Sequence, residues 1–217
     1  MPQILKHDVR ERIEAAAAAV FASRGFVAAS MSEIADRAGI SAGNIYRYFD
    51  GKEALFDAVI DDELARSFLD LLRQRVEASN ESDDPVPSQS DLYRLASERL
   101  LAFSIANRHR VVALLGGNRG SRLEGYDETV VDELSRLAIR HFRGRHPGLR
   151  IPAQRRFTLD RIYRAFIDSM VAVLSEHDEE GRIRSAVSDY TAYHLAGLEA
   201  LFAPDAISDP DDQEASG

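Results

Sequence analysis

The stretch that most constrains the fold is residues 30–52, SMSEIADRAGISAGNIYRYFDGK, because it encodes two short helices joined by a tight turn. Ser30 and Glu33 have the spacing of a capping box, in which the two side chains satisfy free N–H groups at a helix start. Gly39 stands where a helix ends with a left-handed residue, and Ser41 is placed to cap the next helix. The sequence therefore predicts a helix, a three-residue turn and a second helix.

The second of these helices, predicted over residues 42–49, has two unlike faces. Ile45 and Phe49 are four residues apart and share an apolar face. The opposite face is predicted to show Asn44, Arg47 and Tyr48, with Tyr46 beside Ile45. A helix-turn-helix needs this division in its recognition helix, although ordinary helical bundles contain the same succession of elements.

A wider set of residues, in order and without gaps from residue 9 to residue 55, follows the sequence pattern of a known family. These residues are Arg12-Ile13, the alanine run of the first helix, Phe21, Gly25, Ile34-Ala35, Ala38-Gly39-Ile40-Ser41, Gly43, Ile45-Tyr46, Tyr48-Phe49 and Lys52-Glu53-Ala54-Leu55. In these residues the chain resembles the DNA-binding domain of TetR-type (TetR/AcrR) transcriptional regulators. The resemblance implies an all-α protein of about nine helices. It would consist of an N-terminal three-helix helix-turn-helix domain and a C-terminal helical bundle for ligand binding and dimerisation. The rest of the chain fits the family only in its size and helical pattern.

The resemblance also implies which residues contact DNA. Positions that contact phosphates in the family are occupied here by Tyr46, Tyr48 and Lys52. Ser41, Ala42 and Gly43 lie at the start of the second helix. The backbone N–H groups at a helix start favour an anion, which here would be a DNA phosphate.

Base reading is predicted to depend on few side chains. Arg47 prefers guanine and Asn44 prefers adenine, and both can also reach phosphates. Ser32 matches a family position that can face bases. Family members often carry a longer polar residue where this chain has Ala42, which offers only a methyl group for a thymine. The operator sequence is therefore not predictable from these residues.

The net charge of −9 does not lie in the predicted DNA-binding segment, because residues 1–55 contain seven basic and seven acidic side chains. A DNA-binding segment without net charge predicts a modest non-specific affinity for DNA and a shallow dependence of that affinity on salt. The absence of cysteine excludes a disulfide framework and a Cys-based zinc site. The longest uncharged apolar run, residues 15–22, is too short to span a bilayer. With no signal peptide pattern at the N-terminus, a cytoplasmic location is expected.

Apolar periodicity predicts the remaining elements. The expected helices cover residues 8–23, 52–78, 91–107, 108–115, 126–143, 154–176 and 183–202. Residues 1–7 are expected to form a loose arm, and residues 79–90 a flexible connector. The predicted domains are a helix-turn-helix domain over residues 1–52, a ligand-binding and dimerisation domain over residues 53–202, and a disordered acidic tail over residues 203–217.

The last two helices carry apolar or aromatic residues on more than one face, which predicts a four-helix interface with a second copy of the chain; burial within one subunit is the alternative. The candidate interface residues are Ile162, Phe166, Tyr190, His194, Gly197, Leu198 and Leu201. A mixed apolar and polar set is typical of a ligand pocket, with ordinary core packing as the alternative. The candidate pocket residues are Phe103, Asn107, Asn118, Tyr126, Tyr163, Phe166 and Met170.

No pattern of catalytic or metal-binding residues is present. None of the six histidines has another three or four residues away, and no Gly-x-Ser-x-Gly motif occurs. We therefore expect no enzyme, cofactor or metal. The predicted function is that of a sequence-specific DNA-binding regulator, a homodimeric repressor released from a palindromic operator by a small-molecule ligand. The alternatives are a ligand-independent DNA-binding protein and a protein-interaction module that uses the helical bundle.

Overall fold

The computed structural model describes residues 2–80 and 90–203, and these residues form ten helices and no strand. The helices are α1 (Pro2–Ala28), α2 (Met31–Ala38), α3 (Ala42–Ile45), α4 (Lys52–Val59), α5 (Asp62–Asn80), α6 (Asp91–Ala106), α7 (Arg108–Gly116), α8 (Tyr126–Arg145), α9 (Ala153–Glu176) and α10 (Glu180–Leu201). The all-α class is confirmed. Most of the predicted connector and tail, residues 81–89 and 204–217, lie outside the described residues.

The first helix is interrupted where the sequence predicts its end. Gly25 has φ 72° and ψ 165°, which is not helical, and one further turn follows it. The helix starts at Pro2, so most of the predicted N-terminal arm is helical instead. The alanine run, residues 15–19, is largely buried, and its small side chains let α2, α4 and α7 pack closely on α1.

The single helix predicted over residues 52–78 is wrong, because the chain leaves helical geometry at Ile60 (φ −113°, ψ 71°). The Ile60 side chain is fully buried. The Asp61 carboxylate then accepts a hydrogen bond from the Leu64 N–H at 2.7 Å, which caps the start of α5. Acidic residues in the first turn of α5 suit the positive end of its dipole. This break accounts for the tenth helix.

One hydrophobic core runs from the N-terminal helices to the C-terminal ones. Near its N-terminal end, the rings of Phe21 and Phe26 each meet Phe56 edge to face, with centroids 5.1 Å apart. Near its C-terminal end, Phe142 of α8 stacks on Phe202 with centroids 4.2 Å apart. The predicted domain division at residue 52 therefore crosses continuous packing. None of the described helices combines the length and apolarity that a bilayer span requires.

Candidate nucleic-acid interface

The N-terminus of α2 is capped by Ser30, as the sequence predicts. The Ser30 backbone is extended, and its hydroxyl accepts a hydrogen bond from the Glu33 N–H at 3.2 Å. The Glu33 carboxylate instead pairs with Arg24 of α1, at 3.3 Å from Nε. Among the described hydrogen bonds, therefore, only the serine half of the predicted capping box is made, and the glutamate ties α2 to α1.

The C-terminus of α2 ends in a Schellman motif centred on Gly39, whose φ of 69° is left-handed as predicted. The N–H groups of Gly39 and Ile40 donate to the carbonyls of Asp36 and Ala35 at 3.1 and 3.0 Å. Arg12 of α1 donates to the carbonyl of the last residue of α2 and, at 3.4 Å, to that of Gly39. The turn between α2 and α3 is thus fixed from two sides.

The recognition helix is shorter than the predicted span of residues 42–49. Only Ala42–Ile45 is α-helical, and residues 46–48 form a turn. Within it, the Arg47 N–H donates to the Asn44 carbonyl three residues back, at 3.1 Å. Glycine and asparagine are poor helix formers, so a four-residue helix containing both has little tendency to extend. Ile45 and Phe49 are both buried, which fixes this segment on the core.

The tightened turn changes which tyrosine faces outward. Tyr46, predicted to lie beside Ile45, is 55% exposed, whereas Tyr48, predicted to face outward, is half-buried against the core. Arg47 is exposed, and its guanidinium has no ion-pair or hydrogen-bond partner among residues 2–80 and 90–203. Of the other predicted DNA contacts, Asn44 is half-buried, and the exposed ones are Ser32, Ser41, Ala42 and Gly43. The structure thus brings the predicted residues of α2, α3 and the turn onto one corner of the molecule.

Lys52, the last predicted phosphate contact, is engaged within the protein. Its Nζ donates to the carbonyls of Val27 and Ala29 at 3.1 and 3.0 Å. The same ammonium lies 4.7 Å from the centroid of the Phe26 ring. Lys52 therefore joins the start of α4 to the segment between α1 and α2, a role that the sequence pattern did not indicate.

Arg10 is a second supporting residue that the sequence analysis missed. Its guanidinium lies 4.6 Å from the ring centroid of Phe49 and pairs with Glu14 at 2.9 Å. The contact covers the ring that holds the turn after α3. A pairing across 39 positions of the chain leaves no periodic signal in the sequence.

The break between α4 and α5 is held by Arg110 of α7. Its Nε donates to the Val59 carbonyl at 2.6 Å, and its terminal nitrogens reach Asp61 at 3.3 Å and Asn107 at 3.1 Å. Asn107, one of the predicted pocket residues, thus orients an arginine that grips the end of the N-terminal domain.

Arg122, in the loop between α7 and α8, also binds the break between α4 and α5. It donates to the Ile60 carbonyl at 3.1 Å and pairs with Asp57 and Asp62, each at 2.6 Å. One guanidinium therefore contacts the last turn of α4, the break and the first turn of α5. A movement of α7 or of this loop would act directly on the geometry of the break.

The residues predicted for a ligand pocket are only partly brought together. Tyr163 and Phe166 both pack on His194, with ring centroids 5.0 and 4.2 Å away. Buried Asn118 donates to the Leu114 carbonyl at 2.7 Å. Met170 is half-buried, as is Phe103, whose carbonyl accepts a hydrogen bond from the Asn107 side chain at 3.1 Å.

Tyr126, another predicted pocket residue, is committed to a structural contact. Its hydroxyl donates to the Ala65 carbonyl at 2.6 Å, and burial raises its pKa to about 12. A cavity of about 620 Å³ lies elsewhere, between α8 and α9, and none of the seven predicted residues lines it. Its lining residues are Asp132, Ser135, Arg136, Ile139, Arg140, Arg143, Arg156 and Asp160.

The residues predicted for a dimer interface lie on α9 and α10. Leu198 is buried, Tyr190 and Gly197 are exposed, and the half-buried ones are Ile162, Phe166, His194 and Leu201. Two large side chains that were not predicted, Tyr193 (81% exposed) and Phe157 (61%), are also exposed on these helices. The surfaces that α9 and α10 leave uncovered are therefore partly aromatic.

His194 is the polar group of this region. Its Nε2 is buried and has no hydrogen-bond partner within the described part of the chain. Burial, with a smaller contribution from the charge of Arg75, lowers the pKa of His194 to about 4. The ring is therefore neutral at physiological pH. Among the side chains of the described residues, no three histidine or carboxylate groups converge to hold a metal ion.

The capped α2, the short α3 and the supporting α1 define a helix-turn-helix domain. Residues 13–59 match the model of the family described as bacterial regulatory proteins, tetR family. The N-terminal helix-turn-helix domain is therefore of the type found in this family, and the curated relatives match the chain over a region of similar or greater length. The family consists of transcriptional regulators and not of enzymes, in agreement with the expectation from the sequence.

Three known proteins illustrate the similarity. The chain is 35% identical over 108 residues to the transcriptional repressor KstR2 of Mycobacterium tuberculosis H37Rv, covering 49% of this chain and 48% of the relative. It is 38% identical over 99 residues to the transcriptional activator FasR of Mycolicibacterium smegmatis, covering 41% and 45%. The TetR family regulator PfmR of Thermus thermophilus superposes with a TM-score of 0.49 at 21% identity, covering 90% of this chain and 95% of PfmR. The chain spans about half the length of these two curated relatives.

Proposed function

We propose that the protein is a homodimeric transcriptional regulator of the cytoplasm that binds a near-palindromic DNA operator and represses until a small-molecule ligand releases it. The observation that carries the proposal is the exposed corner formed by α2, α3 and the turn after it. The Arg47 guanidinium there has no partner among the described residues, and Tyr46 is largely exposed. Both side chains can donate to phosphate oxygens or base edges without breaking an internal contact.

Support for DNA binding also comes from how firmly this corner is held. The caps at Ser30 and Gly39, together with the Arg12 bonds to the end of α2, fix the angle between α2 and α3. Because these groups are already ordered, little conformational entropy remains to be lost on binding. The exposed Ser32 and Ser41 add short hydroxyl donors beside the longer Arg47.

The homodimer is proposed from the uncovered face of α9 and α10. Two half-sites of an operator are read when two recognition helices are about 34–36 Å apart, which one chain alone does not provide. Exposed aromatic residues such as Tyr190 and Tyr193 are typical of protein interfaces. Pairing of these faces would bury them and set the spacing of the two heads.

Ligand release is proposed to act through the break between α4 and α5. Arg110 and Arg122 connect this break to α7 and to the following loop, so a shift there would rotate the head relative to the bundle. If ligand and DNA each favour one arrangement, each weakens binding of the other by the same factor. The relative KstR2 is a repressor, whereas the relative FasR is an activator. A reporter gene placed behind the operator would show whether this protein represses or activates.

Selection of bound duplexes from random DNA tests the core of the proposal. We expect recovery of a near-palindromic sequence, followed by loss of its gel shift in Arg47→Ala. Arg99→Ala is the matched control, because Arg99 is an exposed arginine on α6, outside the corner. Failure to retain any duplex at low ionic strength would refute DNA binding and favour the protein-interaction module.

Sedimentation equilibrium tests the dimer separately. A side chain at Gly197 or at Gly144 would meet nothing within 4 Å in the single chain. We expect a wild-type dimer, a Gly197→Leu monomer and a Gly144→Leu dimer, because only Gly197 lies on the proposed interface. A wild-type monomer at micromolar concentration, or a Gly197→Leu variant as dimeric as wild type, would contradict the proposed interface.

A further inference from the structure

The groove between α8 and α9 concentrates positive charge in an acidic protein. The cavity there has a volume of about 620 Å³. Four arginines line it: Arg136, Arg140 and Arg143 of α8, and Arg156 of α9. Two carboxylates, Asp132 and Asp160, also line it, so the lining carries a formal charge of +2 in a chain of −9.

Most of these guanidinium groups are not used by the fold. Arg140, Arg143 and Arg156 have no ion-pair partner within residues 2–80 and 90–203. Like charges four residues apart on a helix, such as Arg136 and Arg140, are mildly destabilising. Arg143, in the last turn of α8, suits the negative end of the helix dipole, but this does not account for Arg136, Arg140 and Arg156.

Arg136 differs from the other three because it is held in place. It makes two bonds to the Glu133 carboxylate, at 2.6 and 2.8 Å, and Arg73 of α5 binds the same carboxylate at 2.6 Å. These bonds, that of Arg136 foremost, lower the pKa of Glu133 to about 2. The edge of the groove is thus ordered, while its remaining arginines keep free donors.

The wall of the groove also contains an unpaired hydroxyl. Ser135 is 5% exposed, and its Oγ has no hydrogen-bond partner within the described residues. Other helical serines, such as Ser104 and Ser169, donate to the carbonyl four residues back at 2.8 Å. A buried polar group without a partner is unfavourable, and rotation of the Ser135 side chain toward the groove would let a ligand oxygen accept its hydrogen bond.

We propose that this groove binds a small molecule that carries two or more phosphate groups. Guanidinium groups donate pairs of N–H bonds in a geometry that matches phosphate oxygens, and several of them together exceed what one phosphate needs. The volume lies within the range of about 300–1,000 Å³ for small-molecule sites and leaves room for an organic part beside Ile139. The site is separate from the DNA-binding corner and from the seven predicted pocket residues, and it does not depend on DNA binding.

Isothermal titration calorimetry on the full-length protein without DNA tests this site. The probes are inorganic pyrophosphate and ADP, which carry the same two phosphates with and without an organic body. We expect saturable binding with a Kd below about 1 mM and a loss of affinity as NaCl is raised, since the contacts are ionic. Tighter binding of ADP would identify an organic phosphate as the ligand class, and equal binding would identify the anion alone.

Two paired variants decide whether the groove is the site. Arg140→Gln/Arg143→Gln should weaken pyrophosphate binding at least tenfold, whereas Arg99→Gln/Arg161→Gln should not. Both remove two charges from exposed arginines without ion pairs, and Arg99 and Arg161 lie outside the groove. Glutamine keeps the helix propensity of arginine, so circular dichroism should show all variants folded. Ser135→Ala should weaken binding without loss of thermal stability.

Three results would overturn the proposal. The first is no saturable heat with either probe up to several millimolar. The second is a groove variant that binds pyrophosphate as tightly as wild type. The third is an equal loss in the control variant, which would mean that binding follows net charge alone. Because no DNA is present, each of these results leaves the proposed operator binding standing.

Discussion

Replacing Gly117 by alanine should destabilise the protein, because α1 and α7 come into close contact at this residue. An added Cβ would lie 2.7 Å from the Phe21 carbonyl oxygen and 3.2 Å from the Ala113 Cα, both backbone atoms that cannot rotate away. The φ of Gly117 is −116°, which any residue adopts, so the effect is steric. The Gly117 carbonyl also accepts a hydrogen bond from the Phe26 N–H at 2.7 Å.

The expected decrease in the free energy of unfolding of Gly117→Ala is the sum of three contributions. Overpacking a tight contact costs about 1–3 kcal/mol. Weakening the adjacent hydrogen bond adds up to about 1 kcal/mol. Lower entropy of the unfolded chain offsets about 0.4–1 kcal/mol. The net change in the free energy of unfolding is about 2 kcal/mol, which for a chain of this length lowers Tm by about 4–8 °C.

Urea denaturation at a fixed protein concentration measures this change. Gly144→Ala is the matched control, because a Cβ at Gly144 would meet nothing within 4 Å. We expect the control to be as stable as wild type or slightly more so, since alanine favours helix. If Gly117→Ala unfolds within about 0.5 kcal/mol of wild type, the close approach of α1 and α7 is not a constraint on the fold.

Three further predictions concern the head and the dimer face. Lys52→Ala should lower the free energy of unfolding by about 1–2 kcal/mol through its lost carbonyl bonds, whereas Arg47→Ala should change it by less than about 0.5 kcal/mol; equal effects in urea denaturation would contradict the structural role of the lysine. Ser30→Ala should cost about 1 kcal/mol through the lost cap of α2, and an unchanged urea midpoint would argue against the capping bond. The pKa of His194 is lowered from 6.5 to about 4 in the folded state, so its stabilising effect is complete above pH 6.5 and is lost as pH falls toward 4. His194→Leu should therefore lose about 2 kcal/mol less stability than wild type between pH 7 and pH 5, and parallel pH curves for the two proteins would refute the assignment.

Local signals in the sequence were sufficient for the elements of the DNA-binding domain. The Ser30 cap and the left-handed Gly39 depend on neighbouring residues only, and both were predicted at the right positions. The long helices α8, α9 and α10 start and end within about three residues of the predicted bounds, because their apolar periodicity is sustained over several turns. The predicted DNA contacts themselves remain a proposal.

Features set by distant residues were not predictable in the same way. The apolar stripe runs on through Ile60, so periodicity alone joined α4 to α5. Asp61, which is followed by further acidic residues, is a local sign of a helix start that the prediction of one continuous helix did not use. The clamps of Arg110 and Arg122 on this break join residues about 50–65 positions apart, and such pairings leave no local signal in the sequence.

The ion pairs of Arg110 and Arg122 at the break between α4 and α5 are half-exposed, so added salt should affect DNA binding in two ways. Added ions screen such pairs, so the joint between head and bundle should soften even where no phosphate is bound. The ionic-strength dependence of operator affinity would then combine counterion displacement from DNA with a mechanical contribution from the protein itself. A charge-neutral replacement of Arg122 should reduce the second contribution and leave the first, so the two can be separated by comparing slopes.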